Sequence, residues 1–73
     1  MQYSSGEFVD VGDIVLYKNP LGRLDANGEI IYDVLALRVN QVCNDQYLIL
    51  ASDFGKRYGV WGTEGLTLKE KRK

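Results

Sequence analysis

The residues able to do chemistry are few and stand apart in this sequence. The 73-residue chain has no histidine and a single cysteine, Cys43. Without histidine there is no nucleophile–imidazole pair, and the commonest zinc ligand is missing. Cys43 sits beside an Asn44-Asp45 turn with no base near it in sequence, so its thiol reads as incidental rather than reactive. Carboxylates occur singly. Asp25 with Glu29, or Asp33 with Asp45, would have to converge for acid–base work, and nothing around them marks them as buried. Gly55-Lys56 lacks the spacing of a phosphate-binding loop. The expectation is a protein that is not an enzyme, with no catalytic residue, metal site or cofactor.

Binding chemistry is better represented. Residues 54–61, Phe-Gly-Lys-Arg-Tyr-Gly-Val-Trp, interleave cations with rings. Rings anchor protein interfaces or stack on bases, and lysine and arginine meet carboxylates or phosphates. Strand alternation places Tyr58 and Val60 on one face and Arg57 and Trp61 on the other. Tyr17, Tyr32, Tyr47, Phe54 and Tyr58 are many rings for a small core to hide. The candidate binding residues are Leu21, Arg23, Tyr32, Phe54, Lys56, Arg57, Tyr58 and Trp61, on a long first loop and on the turn and strand after it in space.

Charge divides along the chain. Residues 1–55 carry three cations against eight carboxylates, and residues 56–73 carry six against two, for a net charge of −1. The acidic bulk opposes strong capture of DNA or RNA. The first expectation is therefore a protein-interaction module, an adaptor or small inhibitor that grips another protein through loop residues and exposed rings. The alternative is a nucleic-acid-binding barrel that uses residues 54–61 and the basic C-terminus. Small size and acidic composition would also suit an inhibitor encoded by a phage or mobile element.

The elements that must position these residues are strands. Residues 29–52 are the most apolar and β-branched stretch, with Asn44-Asp45 as a turn near the middle, and predict a long β-hairpin. Residues 14–18 form a strand after a Gly12-Asp13 turn or bulge, and Asn19-Pro20 ends it. Residues 19–28 are a long loop rich in turn residues, with Asn27-Gly28 suited to a type I′ turn. Residues 57–62 and 65–69 supply two further strands. The expected core is Ile31, Leu35, Leu37, Val39, Ile49, Val60 and Leu66. Residues 1–7 are expected to be a flexible N-terminus and residues 70–73 a basic tail.

Five short strands, one long first loop and then tight turns describe a small antiparallel all-β barrel. Val11-Gly12-Asp13-Ile14-Val15 resembles the first strand of SH3-like barrels of the KOW and Tudor kind. Val60-Trp61 followed by Leu66 is similar to the end of such domains. The resemblance covers residues 8–69 and implies a single binding domain. The Ala-Leu-Tyr-Asp-Tyr signature and paired tryptophans of proline-peptide-binding SH3 domains are absent, so it carries over no binding residue. An OB-like barrel is the alternative architecture.

Compartment follows from composition. A lone thiol cannot close an internal disulfide, which fits a reducing cytoplasm. No stretch is apolar for long enough to suggest a membrane span, and the first residues lack the basic start and apolar run of a signal peptide.

Overall fold

Apolar residues at period two, bounded by glycine, proline and asparagine, become strands throughout this chain. The computed structural model describes residues 1–72. Its strands in chain order are β1 (Ile14–Lys18), β2 (Arg23–Leu24), β3 (Ile30–Ile31), β4 (Val34–Val42), β5 (Tyr47–Ala51), β6 (Arg57–Trp61) and β7 (Leu66–Glu70). Among the described residues there is no helix, and so none long and apolar enough to cross a membrane. The all-β expectation holds, while its strand count needs correction. Among the described residues seven strands form two antiparallel sheets, five in the order β6-β5-β4-β1-β7 and two as the β2-β3 hairpin. The hairpin takes β2 from the expected first loop, residues 19–28, and β3 from the start of the expected 29–52 hairpin, whose first strand begins only at Val34. Leu24 faces Ile30 and Arg23 faces Ile31. No pairing joins β6 to β7, so the large sheet does not close into a barrel.

Register selects the buried face. Val15 opposes Leu37 and Tyr17 opposes Leu35 between β1 and β4. Val39 opposes Leu50 across β4 and β5, and Leu48 and Leu50 oppose Val60 and Tyr58 across β5 and β6. The buried apolar core is Tyr3, Val15, Leu37, Val39, Leu48, Leu50, Val60 and Leu66. Ile49, expected inside, lies on the outer face opposite Gly59. Its neighbours Leu48 and Leu50 are fully buried instead, each stabilising the fold by roughly 2 kcal/mol. Ile31 is only partly buried because it belongs to the small hairpin.

The turns at residues 25–29 and 52–56 share one plan. Asp25 N donates to Glu29 O at 2.9 Å and Gly28 N to Asp25 O at 3.1 Å. Ser52, Gly55 and Lys56 repeat that pattern at 2.8 and 3.0 Å. Gly28 and Gly55 have φ of 79° and 83°, and among the described residues no non-glycine residue has a positive φ. Asn27-Gly28 is therefore not the type I′ turn expected, which needs positive φ at both positions. It is a three-residue loop with one left-handed glycine, and the Asp25 carboxylate accepts from Asn27 N and Glu29 N.

Residues near both ends, Tyr3 on one side and Lys71 and Arg72 on the other, pack into the fold, within the segments read from the sequence as a flexible N-terminus and a basic tail. Tyr3 is buried, and Val9 N donates to Met1 O at 3.0 Å. Asp13 is the one buried charged residue among those described. Its Oδ2 accepts from the Tyr3 hydroxyl at 2.7 Å, from Asp10 N at 3.0 Å and from Lys71 Nζ at 3.0 Å. Its Oδ1 accepts from Arg72 N at 2.9 Å. Lys71 also donates to Phe8 O and to Asp10 Oδ2. The N-terminal turn, the start of β1 and the segment after β7 thus meet at one carboxylate. Lys73, the last residue of the expected tail, lies outside the described residues.

Burial pushes the Asp13 carboxyl up, but the Arg72 and Asp10 amides, the Tyr3 hydroxyl and Lys71 outweigh it, and its pKa falls from 3.8 to about 2. Because the folded value lies below the unfolded one, this contribution is full above pH 3.8 and fades as pH falls toward 2. Its size is about 2 kcal/mol. The Tyr3 phenol is shifted the other way, above its ordinary 10.0, by burial and then by its bond to Asp13. Its contribution is full below pH 10 and is lost as pH rises further. Urea unfolding from pH 7 to pH 2 should show Asp13→Asn less stable at neutral pH. The gap to wild type should close by about 2 kcal/mol as pH drops through the window between 3.8 and 2. Parallel stability curves for the two proteins would show that this carboxylate does not hold the ends together.

Candidate binding groove

Where the large sheet stays open, its inner face is lined by rings. Tyr17 and Tyr58 share the inward parity of Val15 and Val60 and stand nearer the mouth, with ring centroids 5.9 Å apart. On one side of this pair lies a cavity of about 520 Å³ bounded by Tyr17, Pro20, Tyr32, Val60 and Gly65. On the other lies one of about 270 Å³ bounded by Leu35, Leu37, Phe54 and Tyr58. Each has a lysine over a ring: Lys18 Nζ is 4.7 Å from the Tyr32 centroid and Lys56 Nζ 5.2 Å from that of Tyr58. Such cation–π contacts hold the charged heads beside the rings rather than away in solvent. Glu64 and Asp53 add one carboxylate to each cavity. The groove is thus apolar at its floor and mixed in charge at its rim.

The structure divides the sequence-predicted residues among three places. Phe54, Lys56 and Tyr58 meet at the smaller cavity, and Tyr32 lines the larger one. Phe54 is wholly exposed at its turn. Leu21 and Arg23 belong to the β2-β3 hairpin, around a separate cavity of about 220 Å³. Arg23 forms an ion pair with Asp33 at 3.1 Å, which ties the two ends of the hairpin together. Both partners are half exposed, so the pair contributes little energy. Arg57 and Trp61 lie on the opposite, outer face of β6, as alternation requires. Tyr17, Lys18, Pro20 and Glu64 also border the groove. Tyr17 stands out in the sequence only as one of several excess rings, and none of the four is among the candidate binding residues. The available signal was Tyr17 in phase with Val15 at the end of a strand, beside a proline.

On the outer face, Trp61 packs against Tyr47 with centroids 4.6 Å apart and ring planes inclined by 48°. This works because Gly59 has no side chain: a Cβ there would fall inside the space taken by the Tyr47 hydroxyl and ring. A ring laid over a strand glycine restores the packing that the glycine lacks. Among the described residues no group of histidine, cysteine, aspartate or glutamate is arranged to hold a metal ion. Comparison with protein-family models, with curated proteins and with solved structures finds no match.

Trp61 is the only tryptophan, so its fluorescence reports on this contact. At 72 % exposure its emission should resemble that of indole in water and be readily quenched by iodide. Gly59→Ala should displace the partly exposed Tyr47 ring and alter Trp61 emission, at a cost of about 1 kcal/mol. Unchanged emission and stability in that variant would place Tyr47 elsewhere.

Proposed function

We propose that this chain is a non-enzymatic protein-interaction module whose partner seats an extended segment in the ring-lined groove. The observation that carries the reading is the pair of adjoining cavities joined by Tyr17 and Tyr58, with Tyr32 and Phe54 at their outer ends. Tyr17 and Tyr58 are held by the sheet and lose little side-chain freedom on binding, while Tyr32 and Phe54 offer exposed rings of the kind that anchor protein interfaces. The order β6-β5-β4-β1-β7 supports reading the large sheet as an SH3-like fold with β2-β3 as its elaborated first loop. Exposed Cys43, left as a free thiol, favours a reducing compartment such as the cytoplasm.

A second reading has its own observation. The strands carry Lys18, Arg23, Arg38, Arg57 and Lys69 against Glu70 alone, while the other carboxylates lie in connections and ends. Arg38 and Arg57, aligned through Ala51, make no ion pair among the described residues and share the outer face with Trp61. That face would suit a single-stranded nucleic acid.

Capture from a lysate with and without nuclease separates the two. A protein partner should survive nuclease and moderate salt, and Phe54→Ala or Tyr32→Ala should weaken it by about tenfold or more. Arg38→Ala and Arg57→Ala should leave that capture nearly unchanged. Binding lost with nuclease, falling steeply with salt and sensitive to the two arginines would select the nucleic-acid reading.

A further inference from the structure

Strand β6 is an edge of the large sheet, and among the described residues β5 is the only strand beside it. Their register runs unbroken from Tyr47 opposite Trp61 to Ala51 opposite Arg57. Just beyond either end, Gly62 N donates to Gln46 O at 2.6 Å, and Ser52 N donates to Lys56 O at 2.8 Å. Residues 56 and 62 therefore turn backbone groups toward β5. In an antiparallel ladder this direction alternates residue by residue. Tyr58 and Val60 also face β5, so Arg57, Gly59 and Trp61 direct their N–H and C=O groups outward. All three are exposed. For Gly59, which has no side chain, the exposed surface is main chain.

Open edges invite pairing, and proteins usually spoil them with charge, proline or a bulge. The opposite edge is spoiled in this way: β7 ends in Lys69-Glu70, and its pairing with β1 shifts register between Ile14 and Val15. Strand β6 has no proline and no register shift, and Arg57 is its one charge.

We propose that β6 pairs antiparallel with β6 of a second copy, about a two-fold axis through Gly59, joining two five-stranded sheets into one. The sequence Arg-Tyr-Gly-Val-Trp is complementary to itself read backwards. About that axis Gly59 meets the second copy's Gly59, Tyr58 meets its Val60, and Arg57 meets its Trp61. The outward groups of residues 57, 59 and 61 form three hydrogen-bonded pairs, each exchanging two N–H···O bonds. Each guanidinium lies beside an exposed indole for a cation–π contact, made twice by symmetry, and no like charges are opposed. A contact that uses one patch on both subunits closes as a dimer and does not propagate. This fit selects a second copy over an unrelated extended segment, and it does not depend on what the inner groove binds.

The test is sedimentation equilibrium of the full chain across a concentration series, with amide hydrogen exchange of the same samples. The expected species has twice the 8.3 kDa mass of one chain. The amides of Arg57, Gly59 and Trp61 should gain protection as concentration rises. Trp61→Lys, which sets a lysine opposite Arg57, should weaken association by about tenfold or more. Combining it with Arg57→Glu should restore the dimer by making the pair complementary again. Circular dichroism checks that the variants fold; if they do not, wild-type exchange decides alone. A single-chain mass up to the solubility limit would overturn the proposal. So would a dimer whose residue 57, 59 and 61 amides exchange as freely as those of the turns, or one indifferent to Trp61→Lys in a folded variant.

Discussion

A carboxylate removed from water must recover, from the protein, the hydrogen bonds it gave up, and Asp13 recovers four. They come from Asp10, three residues away, from Tyr3 in the N-terminal turn, and from Lys71 and Arg72 at the far end of the chain. An isolated buried charge costs several kcal/mol, and breaking one of its partners leaves much of that cost exposed. The arrangement therefore works all or none: the ends must be docked together for the carboxylate to be buried at all. For a chain of this length, which buries only roughly 60 % of its unfolded surface, such a clasp stands where a disulfide or metal would in other small folds. It fixes where β1 begins, since Val39 N donates to Asp13 O at 2.8 Å, and so fixes the β1–β4 register that sets the core.

That clasp was illegible in the sequence for a physical reason. Asp13 looks like a turn aspartate after Gly12, and it does accept from the nearby Asp10 amide. What buries it is Tyr3 and residues 71 and 72, and no local pattern announces contacts across such separations. Strands, by contrast, were legible because their signal is local. Alternation and turn residues located the five strands of the large sheet to within a residue or two at most ends. Alternation also assigned Leu35, Leu37 and Val39 to one face. It failed at Tyr47–Ala51, where both parities are apolar and only pairing with β4 and β6 shows that Leu48 and Leu50 face inward. The β2-β3 hairpin was missed because two-residue strands are too short to show a period.

The candidate site was legible by residue type rather than by grouping. Rings in excess of what a small core can hold do find surface positions, and Tyr32 and Phe54 are among them. Tyr17 was harder to place. Its parity is that of the core, and only the absence of a strand between β6 and β7 leaves its ring at a cavity instead of beneath a neighbour. Arg57 and Trp61 are near Tyr58 in sequence yet cannot share its partner, because one strand presents two faces.

The groove and the open edge have a common origin. A sheet curled toward closure needs strands at its seam that hydrogen-bond to each other, and here the seam would run between β6 and β7. Four residues, Gly62 to Gly65, connect those strands, but the β7 edge is charged and its β1 ladder is bulged. Without that last pairing, the inward side chains of β6 border a cavity and its outward backbone groups lack a strand partner. Tyr58 and Val60 belong to the first consequence, and Arg57, Gly59 and Trp61 to the second. Period-two geometry keeps the two sets apart, so a ligand on the inner face and a strand added at the edge would use different atoms of the same five residues. They would still be coupled through Tyr58, whose ring lines the groove while its backbone is held to β5. Any occupant that moved β6 would alter the groove wall, which makes the stiffness of the β5–β6 ladder, and the Tyr47 ring packed over Gly59, the link between the two surfaces.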